Sequence, residues 1–280
     1  MMSQLIQSIQ DFICHNQKQT IKYEYLISER HKIVKDCYNN SLCDKDELNK
    51  LYNMLIIDSY NDLFKVFESN KTYIHNIFHA LGKKQPPRIT IKTLHGDSVL
   101  DIYRSTYPTD FNSTNIEDNT GFSNILNKNE FYFLDNNLPK SFIENKYSNP
   151  RLIKEKLNEY LNESITWKEC WKSLNHNEEQ EYYSSTLILP MSIRGTKDDE
   201  KDMNFYNHFF KEIQQHKDSR TIWGFLCFDS IDINYFNNTQ EDDFVSIGYI
   251  MSDILSLYLM YFYNHISGSK TIKLVEEKLY

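Results

Sequence analysis

His75 and His79 stand at i and i+4 in the segment HNIFH, the spacing at which two imidazoles on one helix face can share a metal ion. The segment lacks the glutamate of the zinc-protease motif, and the surrounding heptad puts both rings on the exposed side, so a solvated face is expected. Cys37 and Cys43 have no second pair to complete a zinc site. Cys170, flanked by Trp167 and Trp171 and close to His176, reads as core, and so does Cys227. Ser184-Ser185 lacks the glycines of a nucleophile elbow, and neither a Gly-rich phosphate loop nor a P-loop lysine occurs. No metal site and no catalytic constellation is expected, and the chain reads as not an enzyme.

The chain must therefore be read through the elements that could build a binding site. It has 280 residues, 40% hydrophobic and 14% aromatic, which is enough to fold around a core. A net charge of −8 without a basic block argues against nucleic acid as a partner. Five irregularly spaced cysteines and no signal-peptide pattern point to a reducing cytoplasm. The most apolar window, Val245–Ile266, carries Asp253, serines and tyrosines, so it reads as a buried helix and no membrane is expected.

Residues 3–38 keep apolar positions at helical spacing without Gly or Pro and predict one or two helices. From Asp44 to Leu81 a heptad seam runs through Ile56, Tyr60, Leu63, Phe67, Asn70, Ile74, Ile77 and Leu81, and Gly82 and Pro86-Pro87 end it. Asn70 on that seam fits either a parallel homodimer or a bundle in which residues 3–38 pack on the same seam. Beyond Pro87, Arg88–His95 and Asp97–Ser105 predict a hairpin turning at Gly96. A short helix is expected at Gly121–Leu126, a short strand at Glu130–Leu134, a helix at Arg151–Leu161 and another near Met203–Gln214. STLILPMSIRG and TIWGFLCFDS are near-continuous apolar runs, which predict strands covered on both faces. Gln240–Ile266 predicts a closing helix with an acidic first turn, and Lys270–Tyr280 a strand or frayed tail.

This order of elements resembles a GAF domain over about residues 85–268. The resemblance is carried by YYSSTLILPMSIRG, and by TIWGFLCFDS followed by YFNNTQEDDFVSIGYIMSDILSLYL, which looks like the family's last strand, its small-residue turn, and the Phe then acidic pair that opens its closing helix. It implies an α+β fold: a GAF-like antiparallel sheet covered by helices on both faces, preceded by a long N-terminal helical, coiled-coil-like region. The expected division is residues 1–84, 85–268 and a tail from 269 to 280. Pro190 is expected at a bulge or strand end, and Gly224 where another group approaches closely. The Asn-Lys, Phe and Asp-Glu pattern of the cyclic-nucleotide-binding members is not matched: Asn234 is followed by Tyr235, and Phe236 precedes Glu241-Asp242 at another spacing.

A GAF-like pocket would draw on Arg104, Trp167, Trp171, Tyr183, Ser185, Thr186, Asp229 and Ser230. The rings can stack on a planar ligand, Arg104 can pair with a phosphate or carboxylate, and the hydroxyls can orient it. Each also has a structural role open to it, as core ring or turn cap. The resemblance implies a cytoplasmic sensor for a small molecule, a nucleotide among the candidates, signalling through the N-terminal helices as a homodimer or to a separate effector protein. The alternative is an empty GAF-like scaffold acting through dimerisation and protein contacts. No cofactor is named by the sequence.

Overall fold

The computed structural model describes residues 2–40, 44–106, 113–172, 182–194, 214–215, 220–236 and 241–279. Contacts divide these into two units. One comprises the described residues up to Pro86 and from Asp253 onward; the other runs from Pro87 to Ser252.

In the first unit, helices α1 (Met2–Asn39) and α2 (Lys45–Ala80) form an antiparallel pair. With neither Gly nor Pro to interrupt it, α1 is one helix rather than two. A capping box starts α2: Asp44 Oδ1 accepts from the Glu47 amide at 2.9 Å, and Glu47 Oε2 accepts from the Asp44 amide at 3.2 Å. Its end is a Schellman turn, in which Gly82 takes φ 84° and the Lys83 amide bonds the Phe78 carbonyl at 3.0 Å. Leu63, Phe67, Asn70, Ile74, Ile77 and Leu81 of the heptad seam are buried, whereas Ile56 and Tyr60 are only partly so.

Asn70 finds its partner inside the chain. Asn16 Nδ2 donates to Asn70 Oδ1 at 2.7 Å, and the Tyr258 hydroxyl donates to Asn16 Oδ1 at 2.9 Å. The intramolecular bundle thus accounts for this residue without a second copy. His75 departs from the solvated reading, because it is half-buried and burial, reinforced by Lys71 and His79, lowers its pKa to about 4. No cluster with metal-ligand character occurs among the described residues. Cys37 is disulfide-bonded, which departs from the expectation of reduced thiols throughout, while Cys14, Cys170 and Cys227 are free.

The second unit is built on a seven-stranded antiparallel sheet. Its strands are β1 (Arg88–His95), β2 (Ser98–Arg104), β3 (Ser113–Asn115), β4 (Phe133–Asp135), β5 (Ser185–Arg194), β6 (Gln214–Gln215) and β7 (Arg220–Ser230). They are ordered β3-β2-β1-β7-β5-β4, with β6 also on β7. The hairpin turns at Gly96 with φ 57°, as its sequence predicts. The fold is α+β, with a sheet covered on both faces. On one face lie α3 (Thr120–Asn127), α4 (Leu138–Ile143), α5 (Leu157–Leu161) and two 3₁₀ turns at Lys154–Lys156 and Trp167–Cys170. Their side chains join Ile188, Phe225 and Cys227 in one core. Over the other face runs the start of the closing helix α6 (Glu241–Leu279), whose Ser252 hydroxyl donates to the Pro190 carbonyl at 2.6 Å.

Every residue of β7 is buried, as an apolar run covered on both sides requires. A Cβ at Gly224 would lie 2.0 Å from the Lys92 carbonyl oxygen, so this glycine admits β1 at close range. β4 pairs with β5 only as far as Ile188, and the β5–β7 register shifts between Met191 and Ser192. Pro190 therefore sits beside a bulge, where the ladder is released on one side. Several expectations need correction. Residues 151–161 are a turn of 3₁₀ helix and the short α5 rather than one helix, and β3, α4 and β6 were not foreseen. The C-terminal segment continues α6 to Leu279 instead of forming a strand or tail. The helix expected near Met203–Gln214 lies outside the described residues apart from Gln214, as does His176. Among the described helices, Asp242–Ile266 alone is long and apolar enough to cross a membrane; Phe244, Met251, Leu255, Tyr258, Leu259 and Phe262 within it are buried.

Candidate functional site

Alternation along a strand places residues two apart on one face. Arg88, Thr90 and Lys92 of β1 accordingly face the same side, and their cross-strand partners extend them into three rungs. Arg88 is opposite Asp229, which is opposite Thr186. Arg104, Thr90, Cys227 and Ile188 form the second rung across β2, β1, β7 and β5. Asp101, Lys92 and Phe225 form the third.

Asp101 and Arg104 are three residues apart, which in a regular strand would send them to opposite faces. A bulge prevents this: Tyr103 pairs with Ile91 and Asp101 with Lys92, so Ile102 is the extra residue and both charges return to one face. Asp101, 1% exposed, is bonded there by both Lys92 and Arg104, whose side chains are 12% and 14% exposed. Arg104 Nε adds a bond of 2.8 Å to Asp101 Oδ2. Burial alone would raise the Asp101 carboxyl, but the two cations outweigh it and hold the group below its ordinary value. Asp229 closes the first rung, accepting from Arg88 Nη2 at 2.7 Å and Nε at 3.3 Å, and from the Thr186 hydroxyl at 2.7 Å.

Over these rungs lies a cavity of about 50 Å³. Its wall holds Arg88, Thr90, Lys92 and Arg104 with Thr114, Cys227, Ile188 and Asp229 from the sheet, and Asn119, Phe122, Asn149, Arg151 and Tyr183 from the covering segments. Asn119 caps α3, its Oδ1 accepting from the Gly121 and Phe122 amides, so its Nδ2 remains as a donor. The Tyr183 hydroxyl lies 3.2 Å from that of Tyr147, and Asn149 Nδ2 donates to it at 2.9 Å. Arg88 lies 5.0 Å from the Tyr183 ring centroid. Burial pushes the Tyr183 and Cys227 groups well above their ordinary values, so both stay protonated at neutral pH.

Of the residues singled out from sequence, Arg104, Tyr183 and Asp229 line this cavity. Thr186 stands directly behind it, bonded to Asp229. Trp167 and Trp171 do not reach it: they belong to the apolar core, with Trp171 packed at 4.5 Å on Tyr183 and Trp167 Nε1 bonded to the Tyr183 carbonyl at 2.9 Å. Their role is to fix Tyr183. The Ser185 hydroxyl donates to the Asp232 carbonyl at 2.8 Å, and Ser230 accepts from the Asp232 amide at 3.1 Å, so both serines hold a turn. Sequence reasoning missed Arg88, Lys92, Asp101 and Asn119. The polar alternation Arg88-Ile89-Thr90-Ile91-Lys92 was the available signal, but it reads as the wet face of a hairpin until β1 is known to be central.

Comparison with solved structures finds similarity to a type II free methionine-R-sulfoxide reductase from Thermoplasma acidophilum, at 10% identity and a TM-score of 0.39, over 72% of this chain and 96% of that one. No protein-family model and no curated protein matches the chain. The comparison corrects one expectation. The absence of known motifs reads as not an enzyme, whereas this reductase, a solved structure to which the chain is similar, is an enzyme. Contiguous motifs are a poor test for a site assembled, as this one is, from single residues on several strands.

Proposed function

We propose that the sheet unit binds a small anion in the cavity over β1, β2 and β7, and that the protein acts as a sensor whose response is carried by the helical unit. The observation that carries the reading is the sharing of one buried carboxylate, Asp101, by two partly buried cations, Lys92 and Arg104, at a cavity wall rich in donors. A buried cation in excess of its counter-ions is costly, and an entering anion relieves it. The volume admits only a few water-sized groups, which favours a small anion over a nucleotide.

A ligand can act as a signal only through tighter binding to one conformation than to another. The test is a thermal melt of the full chain against a panel of small anions, with Arg104→Gln alongside. Ligand at about 100 times its dissociation constant adds about 2.7 kcal/mol, or roughly 5–10 °C. Arg104→Gln is expected to remove most of that shift. A melt unmoved by every anion, in a protein whose circular dichroism is intact, would favour the scaffold reading instead.

A further inference from the structure

We propose that the ligand is inorganic phosphate, a tetrahedral oxyanion that keeps a proton at neutral pH; this rests on the anion-site reading above. Polar groups surround the cavity. Among the described residues of its wall ten are polar and three, Phe122, Ile188 and Cys227, are not, so a hydrocarbon part of a ligand would be set against donors. Those donors stand on opposite sides. Thr90, Lys92 and Arg104 belong to the sheet, with Thr114 on its outer strand, while Asn119 and Arg151 belong to the segments above it. The Asn119 Nδ2 donor is left over from the helix cap, and the Arg151 Nε is buried. A carboxylate gathers its acceptors at one end, whereas a tetrahedral oxyanion presents an oxygen in each direction.

Size and charge agree with this. At roughly 10–15 Å³ for each water-sized group, a cavity of about 50 Å³ has room for about four oxygens and leaves none for an ester chain. Arg88, Lys92 and Arg104 outnumber Asp101 and Asp229 by one. Arg151, which also lies over the Trp171 ring at 5.6 Å and donates to the Lys172 carbonyl at 3.2 Å, makes the difference two. Phosphate near neutral pH carries one or two negative charges and matches either count. Asp229 then separates phosphate from sulfate. One of its oxygens accepts from the Thr186 hydroxyl and the other from Arg88 Nε and Nη2. A carboxylate has about four lone-pair sites, so Asp229, at the wall, can take one further donor. A protonated phosphate oxygen supplies it, whereas sulfate, fully ionised, brings acceptors alone and is repelled by the carboxylate.

The experiment is calorimetric titration of the full chain with inorganic phosphate, sulfate, phenyl phosphate and acetate, at neutral pH and constant ionic strength. Phosphate is expected to bind at least about tenfold more tightly than each of the others, a difference of roughly 1.4 kcal/mol. Asp229→Asn keeps the shape and turns one acceptor into a donor, and is expected to bring phosphate and sulfate within about threefold of each other. If that variant does not fold, the order of the two anions on wild type decides by itself. Sulfate binding wild type as tightly as phosphate, or acetate binding more tightly, overturns the phosphate assignment and leaves the anion site standing. Phenyl phosphate binding as tightly as phosphate overturns the free ion in favour of an organic phosphate. Binding of none of the anions overturns both the assignment and the site.

Discussion

At the scale of single residues, the site depends on side chains whose alternatives are poor. Gly224 is the clearest case: a methyl group there meets the backbone of β1 rather than a side chain that could rotate away. Gly224→Ala is expected to cost about 3 kcal/mol in urea denaturation, more than an ordinary overpacked core position, because the central strand pair must part. The apolar runs of β5 and β7 disclosed that crowding in advance, since burial on both faces is written in consecutive residues. The pairing of Lys92 and Arg104 through Asp101 was not legible in the same way. It requires the register of two strands and the location of one bulge, which no stretch of residues encodes by itself. The tryptophans lie away from the cavity for another reason: Trp167 and Trp171 have the right chemistry for stacking, but large rings beside an apolar core bury themselves first.

At the scale of elements, α2 is specified at both ends and in the middle. The Asp44–Glu47 box fixes where it begins, and Asp44→Ala is expected to cost about 1 kcal/mol by chemical denaturation. Asn70 is 0% exposed and bonded to Asn16, so Asn70→Leu takes one of two acceptors from the buried Asn16 amide and is expected to cost about 1–3 kcal/mol. Light scattering of that variant beside wild type separates the two uses of a polar seam residue: unchanged mass with lower stability is the signature of the intramolecular pair. The heptad was legible because it is periodic within one helix. Its partner was not, since α1 and a neighbouring chain offer the same kind of surface to the same stripe.

At the scale of the whole molecule, acid should act first on the helical unit. His15, His31, His75 and His265 all lie there, and burial, reinforced by neighbouring cations or histidines, lowers the pKa of each, His75 to about 4. An unfolded chain takes up protons on these rings near pH 6.5, while the folded one resists until lower pH, so stability falls as pH drops from about 6.5 toward 4. Melting temperature is expected to decline across that window, and His75→Leu to flatten the decline; a melting temperature independent of pH between 7 and 5 would contradict this account. The Asp101 carboxyl is held below its ordinary value, so its contribution is lost only at more acid pH still. The net charge of −8 says nothing of the sheet unit's cationic cavity, because composition averages over a molecule whose two units differ.

Ile102 gives the second strand a spare count. A strand ordinarily keeps strict parity, and losing one residue turns everything beyond the loss inside out. Here the odd residue is already excluded from pairing, so the chain on either side of it is in step without it. Deleting Ile102 would convert the Asp101–Arg104 spacing from three to two and still leave both charges on their own side of the sheet. The change a strand tolerates least is, at this one position, the change that preserves the site's parity.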